Sequence, residues 1–324
     1  MRRLGVVMDP ISAITPKKDT TLALLLAAQR RGWTLEYMEL ADLYLLGGRA
    51  CAHRRELQVD DRPNDWWTFG AAHDGPLAEL DVVLMRKDPP VDAEYGYATQ
   101  LLELAERDGV LVTNRPASLR DCNEKLFAQW FPQLCPPTLV SRDLTRLRSF
   151  VAAQGQAVVK PLDAMGGRGV FVLGPDDPNI GSVLESLTDR GQRQIMAQAY
   201  LPAIAQGDKR VLLVDGEPVP YALARVPAPG ESRGNLAAGG RGEGRPLDAH
   251  DRAIATAVGP ELKRRGLLLV GLDVIGDKLT EINITSPTCA RELDAQFGLD
   301  IGGQVIDAIA AQLTGRAPPA RPGR

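Results

Sequence analysis

The sequence predicts an α/β first part built on a doubly wound parallel sheet, followed by an α+β part built on antiparallel hairpins. Three observations carry this. Short apolar strands alternate with amphipathic helices over roughly the first 120 residues, the pattern of a parallel sheet covered on both faces. From about Asp121 the alternation gives way to paired strands around glycine-containing turns. The length of 324 residues allows about two domains with sizeable cores.

Residues 4–8 read as the first strand, closed by Asp9-Pro10. Asp19 can cap a helix whose inner face carries Leu22, Leu25, Leu26 and Gln29, with Gly32 just past its end. Residues 35–40 form a second strand, and 51–69 read as a strand excursion followed by a polar turn. Residues 81–85 are a buried strand opening onto Arg86-Lys87-Asp88-Pro89-Pro90. Asp92 caps a helix bearing Ala98, Leu101, Leu102 and Ala105, and 110–112 follow as a strand. Ligands of such a sheet sit beyond the carboxyl ends of its strands.

A short helix over 123–131 leads through Pro136-Pro137 into a strand at 138–140 and a helix at 144–153. Hairpins follow at 157–173, around a glycine-rich turn, at 210–225, around Asp215-Gly216, and at 270–284; a single strand is expected at 194–199. Residues 226–245 are rich in Gly, Pro and Arg and lack periodicity, and the Pro/Ala/Arg tail, 315–324, is expected to be disordered.

Composition excludes several classes of function. Hydrophobic residues at 44% and charged residues at 24% are ordinary for a globular protein. Thirty-eight basic against 41 acidic residues give a net charge of −3, so no positive field favours nucleic acid or an anionic membrane. No apolar run reaches the ~18 residues of a membrane span, and Asp9-Pro10 ends the first apolar stretch too early for an export signal. Cys51, Cys122, Cys135 and Cys289 lie far apart without a C-x-x-C pair, which suits a reducing cytoplasm. His53, His73 and His250 have no metal-ligand spacing, so carboxylates would hold any metal.

The last hairpin is the most informative. A three-residue loop, Gly276-Asp277-Lys278, pairs Asp273 with Glu281 and leaves Val270, Leu272, Val274, Ile282 and Ile284 on one face. The other face then carries Asp273, Glu281 and Asn283, a hard-oxygen set suited to magnesium shared with nucleotide phosphates. A solvated sheet face with ordinary surface acids is the competing reading. In the first hairpin Lys160 ends a buried strand just before Met165-Gly166-Gly167-Arg168-Gly169. Glycines there let backbone amides approach phosphate oxygens, although a turn needing positive φ explains most such loops. Lys125 offers a second cation, with a helix-surface lysine as the alternative. Arg210 and Arg225 end one hairpin, while Arg233 and Arg241 flank Ala237-Ala238-Gly239-Gly240 as hinge material of a lid or a disordered loop. Gln198-Ala199-Tyr200-Leu201 ends a strand whose backbone could meet adenine, a weak signal.

With these residues in view, the chain resembles the ATP-grasp ligases and, within them, the bacterial glutathione synthetases. The likeness runs from Leu4 to about Leu313 and rests on the strings at 7–10, 84–90, 120–127, 209–220, 233–242 and 280–288. It implies an ATP-grasp fold behind an N-terminal doubly wound domain. Its units would be 1–120 on the substrate side, 121–200 with the glycine loop, and 201–314 with the lid at 226–245 and the metal site. It implies ligation of γ-glutamylcysteine and glycine with ATP through an acyl phosphate, magnesium (manganese as the alternative), and a homotetramer. Under it Lys125, Lys160, Met165, Gly166, Gly167, Gln198 to Leu201 and Asp208 would bind the nucleotide, and Asp273, Glu281 and Asn283 the metal. Arg210, Arg225 and Arg233 would be catalytic, with Arg233 on the closing lid. Arg86, Arg241, Asn283, Ser286, Pro287 and Thr288 would contact substrate. Two alternatives stay open: another ATP-grasp carboxylate–amine ligase, or a non-catalytic nucleotide-binding module.

Overall fold

The computed structural model describes residues 1–228 and 240–315. Its first sheet contains β1 (Arg3–Val7), β2 (Thr34–Met38), β3 (Leu43–Leu46), β4 (Arg49–Val59), β5 (Trp67–Pro76), β6 (Val82–Met85) and β7 (Leu111–Thr113). The order is β3-β4-β2-β1-β6-β7, with β5 on β4. The run β2-β1-β6-β7 is parallel, as expected. The excursion expected over 51–69 is instead an antiparallel extension, β3, β4 and β5, in which β4 runs on through Val59 and β5 carries the chain back along it. Half-exposed β5, interrupted by Gly70 and Gly75, lacks the apolar alternation that announces a strand.

Helices α1 (Thr20–Arg30) and α2 (Ala93–Arg107) cover opposite faces of the parallel run. Leu22 and Leu25 of α1 share a core with Leu4, Val6, Val82 and Leu84. Tyr95, Ala98 and Leu102 of α2 share another with Val7, Val83 and Met85, because successive strand side chains alternate between faces. Asp19 and Asp92 cap the two helices as expected, accepting from the Leu22 and Tyr95 amides at 2.6 and 2.9 Å. The strand order reverses between β1 and β6, so their carboxyl ends, carrying Asp9 and Arg86 to Asp88, border the crevice of the sheet.

A helix that the sequence reading did not anticipate, α3 (Pro116–Asp121), follows with proline at its first position. The helix expected over 123–131 is not formed: turns lead into a single 3-10 segment, Phe127–Trp130. Asn123 Oδ1 accepts from the amides of Lys125 and Leu126 at 3.0 and 3.1 Å, replacing α-helical bonding with a side-chain turn, and Pro132 ends the segment. Before α3, the buried Asn114 ties the first sheet to the last hairpin. Its Nδ2 donates to the carbonyls of Leu269 and Ile284 at 2.8 and 2.6 Å, and its Oδ1 accepts from the amides of Leu268 and Leu269 at 2.7 and 3.1 Å.

The second sheet, β10-β9-β11-β8, is antiparallel. It comprises β8 (Thr138–Ser141), β9 (Ala157–Pro161), β10 (Phe171–Leu173) and β11 (Ile195–Ala199), backed by α4 (Leu144–Gln154) and α5 (Ile180–Leu187) around Leu147, Val151 and Leu184. The third, β14-β13-β12-β15-β16, contains β12 (Asp208–Val214), β13 (Glu217–Val226), β14 (Arg241–Pro246), β15 (Leu269–Ile275) and β16 (Lys278–Asn283). α6 (Ala249–Arg264) packs Ile254, Val258 and Leu262 against Val211, Leu213 and Leu272. On the other face Leu293 of α7 (Ala290–Phe297) and Ile301 of α8 (Ile301–Thr314) meet Leu212 and Leu223. The segment expected to be aperiodic over 226–245 contains β14, whose Arg241 pairs with Val226. Arg233, with the rest of 229–239, lies outside the described residues, as does the tail at 316–324.

The last hairpin corrects one expectation while keeping its consequence. Asp273 pairs with Glu281, but Ile275 pairs with Lys278 across a two-residue turn, and the register shifts between Asp273 and Val274. Thr280 is the extra residue of a bulge, its hydroxyl donating to the Asp273 carbonyl at 3.1 Å. The bulge permits a tight turn while leaving both carboxylates on one face. Among the described residues no helix is long and apolar enough to cross a membrane.

Candidate active site

Two adjoining cavities open where the second and third sheets face each other. One is lined by Lys125, Lys160, Met165 to Arg168, Gln198 to Leu201, Asp208, Asp273, Thr280 and Glu281. The other is lined by Asp88, Pro89, Arg225 and residues 285–289. They share Glu124, Met165, Gly166, Arg210 and Asn283. The β9–β10 turn holds Gly166, Gly167 and Gly169 at positive φ, which a side chain would resist.

Charge concentrates at the junction. Lys160 Nζ, from the end of β9, donates to Glu281 Oε1 at 2.9 Å, with Lys125 Nζ 3.9 Å from the same oxygen. Lys125 also pairs with Glu124 and donates to the Ala164 carbonyl at 2.9 Å. The helix-surface alternative for Lys125 therefore fails, since its side chain is buried. Burial opposes ionisation of Glu281, yet Lys160 and Lys125 hold its carboxyl below its ordinary value. Asp273 lies between two guanidiniums, Arg210 Nε at 2.6 Å and Arg225 Nη2 at 3.0 Å. Burial pushes that carboxyl up, but the two arginines hold it far below the usual carboxylate range. Asp208 also pairs with Arg225; burial pushes its carboxyl up, and its Oδ1 has no hydrogen-bond partner.

The adenine edge expected from Gln198 to Leu201 lines the first cavity. Gln198 Nε2 donates to Thr138 Oγ1 at 3.1 Å, and the amides of Ala199 and Tyr200 bond the Pro137 and Gln156 carbonyls at 2.9 and 3.1 Å. The Leu201 amide has no partner among the described residues. Ser286, Pro287 and Thr288 line the second cavity, where Ser286 donates to Asp88.

Two expected substrate contacts are not brought to the cavities. Arg86 is buried beside them, donating from Nε to Thr21 Oγ1 and from Nη2 to the Pro287 carbonyl, both at 3.1 Å. It braces the 285–288 loop against α1 rather than facing a ligand. Arg241 has a side chain 78% exposed on edge strand β14 and pairs with Glu243. Arg233 lies outside the described residues. The sequence reading missed Glu124, Asp88, Thr280 and Cys289 as lining residues. The Glu124-Lys125 and Arg86-Lys87-Asp88 runs were the only signals, and neither has a spacing that singles out its acid.

The three expected metal ligands divide by their partners. Both oxygens of Asp273 are engaged by arginines. Glu281 is engaged through Oε1, and Asn283 through Nδ2, which donates to the Gly271 carbonyl at 3.3 Å. Among the described residues Glu281 Oε2 and Asn283 Oδ1 have no hydrogen-bond partner, and they form a hard-oxygen pair fitting a small divalent cation that takes its other ligands from phosphates and water. Among the described residues no group of three or more His, Cys, Asp or Glu side chains is placed to hold a metal.

Comparison with known proteins gives this geometry a family. The models for the prokaryotic glutathione synthetase N-terminal domain and ATP-grasp domain match residues 2–120 and 124–298. The chain is 62% identical to the glutathione synthetase of Pseudomonas putida and 60% identical to that of Photorhabdus laumondii, covering 97% of this chain and 99% of each relative. Solved structures share its fold: D-cycloserine synthetase DcsG, with TM-score 0.66, 18% identity and coverage of 96% and 99%, and ATP-grasp ligase PsnB complexed with minimal precursor, Mg and ADP, with TM-score 0.61, 18% identity and coverage of 96% and 98%. With both family models matched across nearly the whole chain and relatives about 60% identical, the chain belongs to the prokaryotic glutathione synthetase family, ATP-dependent ligases of the ATP-grasp fold.

Proposed function

We propose that the two cavities hold ATP and γ-glutamylcysteine end to end, and that the ammonium and guanidinium groups at their junction organise formation of an acyl phosphate. The observation that carries this is the sharing of Glu124, Met165, Gly166, Arg210 and Asn283 between the cavities. A γ-phosphate entering from one side and a carboxylate from the other would meet there.

In this reading Leu201 and its neighbours receive adenine, and Asp208 a ribose hydroxyl. Lys125, Lys160 and the amides of the Met165–Gly167 turn balance phosphate charge. Glu281 Oε2 and Asn283 Oδ1 hold a magnesium ion, with manganese as an alternative; the bound ion supplies electrostatic neutralisation of the phosphates. Asp273 is better placed as the anchor that fixes Arg210 and Arg225 than as a ligand. Those arginines orient the cysteinyl carboxylate for attack on the γ-phosphorus, with ADP leaving. The glycine amine then attacks the acyl carbon and expels phosphate, giving glutathione. Ser286, Pro287 and Thr288 form the peptide wall, and Arg233 is assigned to closing the site, since an exposed acyl phosphate hydrolyses. The four free, buried cysteines suit the cytoplasm, and the family resemblance supports a homotetramer.

The test is phosphate release from ATP and magnesium with γ-glutamylcysteine, with and without glycine, with glutathione identified by mass. Glycine-dependent release of one phosphate per glutathione supports the assignment. Phosphate release without glutathione would reopen the choice of substrate, and ATP binding without turnover would favour a regulatory nucleotide site.

A further inference from the structure

We infer that Asp88 sets specificity for the γ-glutamyl end of the substrate by receiving its α-ammonium group. This rests on the substrate reading above and adds to it a recognition element on the first sheet.

Asp88 follows β6, at the strand-order reversal where the crevice of the first sheet opens. Its amide donates to Asp9 Oδ2 at 2.9 Å, which ties the loop after β6 to the loop after β1. Lys87 Nζ lies 2.8 Å from Asp9 Oδ1 and 2.8 Å from the Asp88 carbonyl oxygen. The neighbouring cation is thus committed to Asp9 and to backbone, and the Asp88 carboxylate points into the second cavity, where it accepts from the Ser286 hydroxyl.

The other acids lining the two cavities each carry a cationic partner. Glu124 has Lys125, Asp208 has Arg225, Asp273 has Arg210 and Arg225, and Glu281 has Lys160. Among the described residues Asp88 has no lysine or arginine within ion-pair distance; the buried Arg86 acts on it only at longer range, its own donors being given to Thr21 and Pro287, so no side-chain cation occupies the Asp88 oxygens. γ-Glutamylcysteine carries a carboxylate at each end but a single ammonium, on the glutamyl α-carbon. Arg210 and Arg225 suit the reacting carboxylate. Asp88 is the anion that remains for the ammonium. A ligand of the same shape without that ammonium would cover the carboxylate and leave it uncompensated, which penalises it beyond the lost contact.

The experiment compares γ-glutamylcysteine with glutarylcysteine, its analogue lacking only the α-amino group, in the native enzyme and in Asp88→Asn. The substitution keeps the side chain's size, and its amide oxygen still accepts from Ser286. Expected are a native preference for γ-glutamylcysteine of about 10- to 100-fold in kcat/KM, and loss of most of it in Asp88→Asn through a fall for γ-glutamylcysteine alone, with KM for ATP unchanged. Equal loss for both substrates, or no loss for either, would overturn the inference. A variant-free check is the native preference followed against pH, which should collapse as the substrate ammonium deprotonates; a flat ratio would count against Asp88. Native turnover of γ-glutamylcysteine without any preference refutes the role of Asp88 and leaves the reaction assignment standing. No glutathione from γ-glutamylcysteine and glycine refutes both.

Discussion

Lys160 Nζ stands 2.9 Å from Glu281 Oε1, a contact between residues 121 apart that joins the glycine-turn strand of one sheet to the bulged hairpin of the next. Both side chains are largely buried, and the contact sets the distance between the glycine-rich turn and the Glu281 carboxylate.

Glu281→Gln should therefore reduce glutathione formation at least ~100-fold, because it takes the charge from an oxygen assigned to the metal and leaves the Lys160 ammonium without its carboxylate partner. Initial rates across a magnesium titration at saturating ATP will check this. Near-native turnover at the same metal concentration would remove Glu281 from the metal site.

Asn114→Ala should destabilise the fold by roughly 3 kcal/mol or more, since it leaves buried amides and carbonyls of two strand ends without partners. Urea midpoints at constant m-value will measure it. A change below about 1 kcal/mol would mean that water or a local shift satisfies Leu268, Leu269 and Ile284.

Gly259→Ala tests a backbone contact. A Cβ at Gly259 would lie 2.2 Å from the carbonyl oxygen of Gly216, which holds the Asp215-Gly216 turn at φ +84°. Alanine, ordinarily favourable in a helix, should here cost about 2 kcal/mol by pushing α6 off the β12–β13 turn. A stabilised variant by thermal melting would show that the approach is looser.

Glu261 provides a pH signature. Hydrogen bonds from Arg264 and Arg265 hold its carboxyl down at about 2, against an ordinary 4.5. The folded state thus favours the ionised form, and the contribution is complete above the ordinary value and fades as pH falls toward the folded one. With Arg264 65% exposed, solvent screening limits it to about 1 kcal/mol. Glu261→Gln should lower the melting temperature slightly at pH 7, with the gap to the native protein narrowing below about pH 4.5 and closing toward pH 2. A gap that widened in acid would reverse the sign of the assignment.

Much of the fold is readable from local chemistry. Asp19 and Asp92 announce helix starts because capping needs only the next turn, and apolar alternation around Asp273 and Glu281 places both on one face because side-chain direction has period two. Even there the means differed: a bulge at Thr280 delivers the pairing that a longer loop was expected to provide. The turn at 123–126 and the half-exposed β5 were illegible because neither repeats an apolar period long enough to register.

The chemistry-bearing residue types and the hairpin faces that hold them follow from sequence pattern, since both depend on neighbours a few positions away. The commitments of individual side chains come from packing between distant segments. Arg86 reaches Thr21 and Pro287, 65 and 201 residues away, and so braces a loop instead of facing a ligand. Lys125, in a turn that resembles any surface turn, is buried against Glu124 and Glu281. Asp88 has no ion-pair partner among the described residues, because Lys87 is drawn to Asp9 and Arg86 to Thr21 and Pro287. No spacing in the chain encodes which cation finds which carboxylate; that is fixed when the three sheets close on one another and each buried charge must find its partner.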